Sequence, residues 1–280
     1  MSFWKWTALG TAAATAAAGA AAFVYGALIE AEQVSIEQVT LRLPRLDPVF
    51  DGYRLVQISD LHFDHRFMTR DRLLGLAALV NAEYPDLIAI TGDFVSRGRA
   101  VEFLPDLHDG LKPLRARDGI AVVLGNHDYR VGARKISSIF ESLGFIDVDN
   151  DVHTLERGGA QLHIAGVDDI WENRQRLDLV LDRLPQTGAA LLLAHEPDFA
   201  DEAAAAERFD LQLSGHSHGG QCVLPGGYKP ILPEMGKKYP SGLYRVGEMW
   251  LYTNRGLGMT WFPQVRFNCR PEITVFTLMS

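Results

Sequence analysis

The feature that most constrains the fold is an alternation of short apolar segments with amphipathic segments in the first half of the chain. Residues 53–58, 87–90 and 120–124 are short and apolar, as buried strands are. Residues 70–82 and 135–143 carry apolar side chains at helical spacing. This order predicts βαβ units around a buried, largely parallel sheet.

The second half of the chain repeats this organisation. Residues 162–167, 190–193 and 211–213 are apolar runs that predict further strands. No linker rich in Pro, Gly or Ser divides the roughly 250 residues that follow the N-terminal segment, which suits one large domain. The sequence therefore predicts a single α/β domain over residues 31–280.

Polar side chains follow the predicted strands at their carboxyl ends, where ligands gather in open α/β sheets. Nitrogen and oxygen ligands of these types hold divalent transition metals. Taken singly, each group is also explained by a turn, a helix cap or a buried histidine. The groups are Asp60-Leu61-His62, Gly92-Asp93, Gly125-Asn126-His127-Asp128, His195 and Gly215-His216-Ser217-His218.

Two of these groups place potential ligands two residues apart. On extended backbone, Asp60 and His62 would point to the same side, and so would His216 and His218. Together with the remaining groups they offer more ligands than one metal ordinarily takes. The surplus predicts two metal ions that share a carboxylate.

The motifs D-x-H, G-D, G-N-H-[DE], a lone His and G-H-x-H occur here in the order of the calcineurin-like metallophosphoesterases, which the chain resembles from about residue 53 to its C-terminus. Residues 219–221 and 266–273 further resemble the membrane-associated bacterial phosphodiesterase subgroup. The resemblance implies a four-layer αββα sandwich of two mixed β-sheets flanked by helices. It also implies two divalent ions, Mn²⁺ or Zn²⁺, with iron as a further option.

The resemblance also implies a role for each residue of the motifs. His127 is expected to assist departure of the leaving group, and Asp128 to orient it. Attack by a hydroxide that bridges the metals is expected to cleave a phosphodiester or pyrophosphate bond. The implied ligands are Asp60, His62 and His218 for one metal, Asn126, His195 and His216 for the other, and Asp93 for both.

Substrate and partners are less constrained. A phosphorylated small molecule or a lipid-linked component of the cell envelope fits the resemblance, and a phosphomonoesterase or a catalytically silent metal-binding adaptor are the alternatives. The net charge of −8 and the pI near 5.6 argue against nucleic acid as a partner. Several apolar residues are either core residues or a lip for an acyl chain: Phe67, Met68, Met259, Trp261 and Phe262.

The N-terminal segment predicts a helix at a membrane. Residues 6–29 are 24 uncharged residues, which as a helix would reach about 36 Å, enough for a hydrocarbon core of about 30 Å. Residues 1–30 are thus expected to be a transmembrane anchor or a cleaved signal segment, with a hydrophobic helix of a soluble protein as the third alternative. Lys5 before the segment and acidic residues after it place the domain on the extracytoplasmic side. Pairing of Cys222 with Cys269 is left open.

Overall fold

The computed structural model describes residues 17, 19–64, 66–96, 102–260 and 264–280. In this part of the chain the strands form two six-stranded sheets, in the orders β1-β12-β2-β3-β4-β5 and β10-β11-β9-β8-β7-β6. The strands are β1 (Ser35–Arg42), β2 (Tyr53–Ile58), β3 (Leu87–Thr91), β4 (Ile120–Val123), β5 (Ile146–Asp147), β6 (Asp151–Arg157), β7 (Ala160–Gly166), β8 (Ala189–Leu193), β9 (Leu211–Ser214), β10 (Gly242–Val246), β11 (Met249–Thr253) and β12 (Glu272–Met279).

Both sheets are mixed. Strands β2 to β5 are parallel, and β12 joins them antiparallel to β2 and parallel to β1. In the second sheet β7, β8, β9 and β11 are parallel, with β6 and β10 antiparallel at its edges. The helices are α1 (Arg70–Ala82), α2 (Leu104–Leu111), α3 (Asn126–Val131), α4 (Ala133–Leu143), α5 (Leu177–Arg183) and α6 (Ala200–Ala205).

Three buried apolar clusters lie between the four layers of the fold, two of helices and two of β-sheet. Helices α1, α2 and α4 pack on one face of the first sheet, through residues such as Leu73, Leu107 and Ile136. The facing sides of the two sheets enclose a second cluster, and α5 and α6 cover the far side of the second sheet through Val180 and Ala203. The expected arrangement of two mixed sheets flanked by helices is therefore confirmed.

The sequence located α1 within its bounds because Leu73, Leu76, Ala77 and Val80 follow helical spacing and are all buried. Thr69 caps this helix, since its side chain accepts from the backbone N–H of Arg72. The edge strands β6 and β10 were not predicted. Their residues are only partly buried, so no continuous apolar run marks them.

The expected membrane anchor over residues 1–30, and the extracytoplasmic location that depended on it, are corrected. No helix among the described residues is long and apolar enough to cross a membrane. Residues 1–16 and 18 of the expected span lie outside the described part.

Residues just before the expected domain boundary contact the domain. The backbone N–H of Arg266 donates to the carbonyl of Gly26 at 3.2 Å. The N–H of Cys269 donates to Glu30 Oε1 at 2.6 Å, and Glu30 is 3 % exposed. The division into residues 1–30 and 31–280 stays a prediction.

Candidate active site

The motif residues meet where the carboxyl ends of the two sheets face each other. Asp60 and His62 follow β2, Asp93 follows β3, and Asn126 and His127 begin α3 directly after β4. His195 follows β8, and the pair His216 and His218 follows β9. Three groups have ligand atoms within 4.8 Å of one another: Asp60 with His62 and His218, His62 with Asp93 and His127, and Asp60 with Asp93 and His195.

Asp93 lies at the centre of this cluster. Its Oδ2 is 3.3 Å from His62 Nε2 and also 3.3 Å from His195 Nε2. Its Oδ1 accepts a hydrogen bond from the backbone N–H of His127 at 2.8 Å. One oxygen of Asp93 is thus fixed by backbone while the other faces two histidines from different sheets.

Asp60 forms the second carboxylate of the cluster. Its Oδ1 lies 3.2 Å from His218 Nε2 and 3.8 Å from His62 Nε2, and the two histidine nitrogens are 3.0 Å apart. Both oxygens of Asp60 also accept from the backbone N–H of His216 at 3.1 Å. We call Asp60, His62, Asp93 and His218 the floor of the site, and each is at most 4 % exposed.

The remaining motif residues complete the rim of the floor. His195 Nδ1 contacts the carbonyl of Thr91 at 2.7 Å, so the other ring nitrogen, Nε2, points towards Asp93. His216 Nε2 contacts the carbonyl of Glu234 at 2.8 Å. Asn126 is buried, and its Oδ1 has no hydrogen-bond partner among the described residues.

The backbone at the floor differs from the extended conformation that the sequence argument assumed. Asp60 and His62 have φ of 48° and 46°, Asp93 has 56°, and His216 and His218 have 67° and 51°. Left-handed backbone is uncommon for residues other than glycine and costs free energy. The side chains converge through these turns and not through strand alternation, so the physical reason given for the two pairs is wrong.

Two motif glycines permit the close approach of the elements. A Cβ on Gly215 would overlap Ser59 Oγ and Asp60 Oδ2. A Cβ on Gly125 would lie 2.5 Å from Asp93 Oδ1 and 2.6 Å from the Asp93 backbone nitrogen. Glycine at these positions therefore lets the turn after β9 and the start of α3 touch the two carboxylates.

His127 and Asp128 lie beside the floor with different contacts. His127 Nδ1 contacts the carbonyl of Ser96 at 2.6 Å and must donate to it, which leaves Nε2 as the nitrogen free to exchange a proton. Asp128 accepts from the backbone N–H groups of Phe94, Val95 and Gly125 at 2.9, 3.2 and 3.0 Å. Asp128 thus ties α3 to the loop after β3, and Ser96 holds the ring of His127.

Charge at the floor is arranged to hold a cation. Burial alone would raise the pKa of Asp93, but the neighbouring His195 and His127 outweigh it and hold that pKa below its usual range. The pKa of Asp60 is likewise held low, against burial, by His218. Burial lowers the pKa of His127 to about 4. The pKa of His195 is raised, against burial, by Asp93. Two ionised carboxylates therefore face a cluster of imidazoles in a buried site.

Buried polar atoms without a hydrogen-bond partner also indicate a site that holds a cation. Asn126 Oδ1 lacks a hydrogen-bond partner among the described residues, and His195 Nε2 has its ion-pair contact with Asp93 Oδ2 at 3.3 Å. A buried polar atom without a partner costs about 1–3 kcal/mol, which a bound cation would offset. Carboxylate, imidazole and amide donors suit divalent transition metals, so the residues fit such ions.

A cavity of about 260 Å³ opens above the floor. Asp93, His127 and His218 line its inner part. The lining residues outside the metal-binding motifs include one arginine and three large apolar residues. We call them the mouth: Arg130, Trp171, Ile231 and Leu232.

Of the two alternatives for the apolar residues near the motifs, core or lip, the structure supports core for the two methionines. Met68 and Met259 are 0 % and 2 % exposed, so both are buried in the interior. Phe67 lies under the guanidinium of Arg72, 4.0 Å from its ring centre. Residues 261 and 262 lie outside the described residues.

The two cysteines are not joined by a disulfide. Cys222 and Cys269 are both free. The thiol of Cys269 donates to the carbonyl of His218 at 3.3 Å. It therefore supports the backbone of a floor residue without offering its sulfur to the cluster.

The fold and this cluster define an α/β protein with a candidate metal-binding site between two sheets. A family model described as calcineurin-like phosphoesterase matches residues 53–220. The chain belongs to this metallophosphoesterase family, whose members use divalent metals.

Several relatives extend the likeness over most of the chain. The metallophosphoesterase YkuE of Bacillus subtilis (strain 168) is 36% identical over 98% of this chain and 94% of its own. Phosphodiesterase YaeI of Escherichia coli (strain K12) is 32% identical over 95% of this chain and 97% of its own. The metallophosphoesterase YkoQ of Bacillus subtilis is 29% identical over 90% and 93%.

Proposed function

We propose that the protein is a hydrolase that cleaves a phosphodiester or pyrophosphate bond with two divalent metal ions. The observation that carries this proposal is the position of Asp93 Oδ2, 3.3 Å from a histidine nitrogen of each sheet. An oxygen so placed suits a carboxylate shared by two ions. The proposed ligands are Asp60, His62 and His218 for one ion, Asn126, His195 and His216 for the other, and Asp93 for both.

Manganese or zinc ions bound there would acidify water to supply the nucleophile and would neutralise the phosphate oxygens. The chain's own residues then orient the substrate. His127 Nε2 is placed to exchange a proton with the leaving oxygen, because Ser96 fixes the other nitrogen. The neutral ring must first take up a proton at Nε2, which an anionic phosphate beside it favours. Asp128 holds the position of α3 and so of His127, as its three backbone contacts indicate.

Phosphodiester cleavage is favoured over monoester cleavage by the likeness to the phosphodiesterase YaeI. The finer assignment to the phosphodiesterase subgroup has the same support. A phosphorylated small molecule or a lipid-linked substrate fits within the proposal, since the cavity has both a cationic and an apolar lining. Nucleic acid is disfavoured by the net charge of −8.

The test compares two substrates on the full chain loaded with Mn²⁺. Bis(p-nitrophenyl) phosphate and p-nitrophenyl phosphate release the same chromophore, so their kcat/KM values can be compared directly. Asp93→Asn removes the shared carboxylate charge and should lower kcat/KM for the diester roughly 1000-fold. Asp182→Asn, on the exposed side of α5, is the matched control and should leave turnover unchanged.

The possible results of this comparison distinguish the proposed diesterase from a phosphomonoesterase and from a metal-binding adaptor. Diester turnover that depends on Asp93 and exceeds monoester turnover supports the proposal. Faster monoester turnover would assign a phosphomonoesterase instead. Two bound ions with no turnover of either compound, or of the pyrophosphate bond of a nucleoside diphosphate ester, would assign a metal-binding adaptor.

A further inference from the structure

The mouth of the cavity combines an apolar wall with a cation. Trp171 is 38 % exposed and Ile231 is 52 % exposed, although both are large apolar side chains. Both line the same cavity as Asp93 and His218. Exposed apolar residues beside a concave polar site are typical of a surface that contacts a ligand.

The position of Trp171 is tied to the metal-binding residues. Glu196, which directly follows His195, is buried and accepts from the backbone N–H of Trp171 at 3.2 Å. The same carboxylate accepts from the N–H of Ile170 at 3.3 Å. The indole also packs edge-on against the ring of His216, with ring centres 5.1 Å apart at 72°.

These contacts leave an indole that is held in place and still partly exposed. An aromatic side chain with a fixed backbone and a packed edge loses little conformational entropy when a ligand covers it. A group bound against Trp171 would therefore lie beside His216 and above the floor. Ile231 and Leu232 extend the same apolar wall.

Arg130 provides the complementary charge. It lines the cavity, its side chain is exposed, and it has no ion pair with any other residue that the structure describes. It follows His127 by three residues on the short helix α3. A phosphate group above the floor would thus meet a guanidinium as well as the floor.

We propose that Trp171, with Ile231 and Leu232, is the specificity site for a large apolar ester group of the substrate, an aryl or alkyl group on the phosphorus. The assignment rests on the proposed function, because the phosphate must lie at the floor for its substituent to reach the wall. Arg130 then binds the charged phosphate and Trp171 selects the uncharged substituent. Substrates with a small or strongly polar substituent would not gain the apolar contact with Trp171, Ile231 and Leu232.

The test uses phosphonates, which carry one substituent and are not hydrolysed. Methylphosphonate and phenylphosphonate are titrated calorimetrically into the full chain loaded with Mn²⁺. The wild type should bind phenylphosphonate about tenfold more tightly, as burial of one aromatic group provides. Hexylphosphonate replaces the aryl by an alkyl group and shows which of the two the wall prefers.

Three variants test whether the ratio of the two affinities depends on the aromatic side chain of Trp171. Trp171→Ala should reduce the ratio of phenylphosphonate to methylphosphonate affinity to about one, and Trp171→Phe should restore most of it. Tyr84→Ala removes an aromatic residue that is 83 % exposed and precedes β3, at the opposite end from the site, and should leave the ratio unchanged. Metal content is counted in each variant by mass spectrometry.

Each outcome supports or overturns the assignment. A ratio near one in the wild type overturns it, as does an unchanged ratio in Trp171→Ala. An equal loss of affinity for both phosphonates together with a loss of metal would mean that Trp171 only supports His216, and it also overturns the assignment. Bis(p-nitrophenyl) phosphate is assayed in parallel. If the wild type does not cleave it while the ratio holds, the proposed hydrolysis fails and the binding site stands.

Discussion

The floor and the mouth of the site differ in burial and in what fixes them. Floor residues are at most 4 % exposed, and backbone contacts such as His216 N–H to Asp60 hold their side chains. In the mouth, Trp171 and Ile231 are 38 % and 52 % exposed, and Arg130 has no ion-pair partner among the described residues. The floor is thus preorganised for chemistry, whereas the mouth is open to a ligand.

The floor and the mouth also differ in backbone conformation. Asp60, His62, Asp93 and His218 all have left-handed backbone, whereas Arg130 lies in the regular helix α3. Residues held in such conformations persist only where the surroundings over-determine them. We therefore expect substitutions in the floor to affect metal binding and turnover, and substitutions in the mouth to affect substrate binding.

The largest effect is expected for Asp93→Asn. Loss of the charge that faces both sheets should lower kcat/KM for a diester roughly 1000-fold, or about 4 kcal/mol of transition-state stabilisation. Metal content, measured by mass spectrometry, should fall with it because Asp93 faces two histidines. Normal turnover at full metal occupancy would rule out the shared carboxylate.

His127→Ala should have the next largest effect and a different signature. Loss of a proton donor costs about 100-fold or more in rate, so kcat for the diester should fall about 100-fold. Metal content should stay near the wild-type value, since Ser96 and not the floor fixes the ring. Loss of metal equal to that in Asp93→Asn would instead make His127 a ligand.

Gly215→Ala tests the packing of the floor without removing a polar group. The new Cβ would overlap Ser59 Oγ and Asp60 Oδ2, so Asp60 must shift. Metal affinity should fall about 10- to 100-fold, as when the support of a ligand is lost. Gly75→Ala in α1 is the control, because a Cβ there meets nothing within 4 Å, and it should raise Tm slightly.

Arg130→Gln is expected to have the smallest effect, confined to the mouth. KM for the diester should rise about tenfold, the loss of a charge-assisted hydrogen bond, while kcat and metal content change little. Arg134→Gln, on the exposed face of α4, should leave KM unchanged. A fall in kcat with constant KM would place Arg130 in the chemical step. It would contradict the expectation that residues of the mouth affect substrate binding alone.

Sequence reasoning predicted the floor because its residues lie in short motifs at strand ends. Five of those groups meet in the structure, and the alternation of apolar and amphipathic segments located β2, β3, β4 and α1. The left-handed turns that bring the side chains together leave no mark in the sequence beyond the adjacent glycines. They depend on contacts between sheets, such as that between Gly215 and Asp60.

Trp171 could not be predicted for a related reason. It is distant in sequence from the motifs and reaches the cavity only through the packing of loops, whereas Ile231 lies in the loop that follows the last motif. Met68 and Met259 lie close to the motifs in sequence, yet the fold buries them. Proximity in sequence to a motif therefore did not decide between core and cavity for these residues, while the hydrogen bonds of Glu196 identify Trp171.

The most direct test of the account is a metal titration of the full chain after chelation. Turnover of bis(p-nitrophenyl) phosphate and bound Mn²⁺ are measured in the same samples. We predict that the chelated protein is inactive and that turnover reaches its plateau at two ions per chain, which is the capacity assigned to Asp93 and its neighbours. Undiminished turnover after complete removal of metal, or a plateau at one ion, would contradict the account.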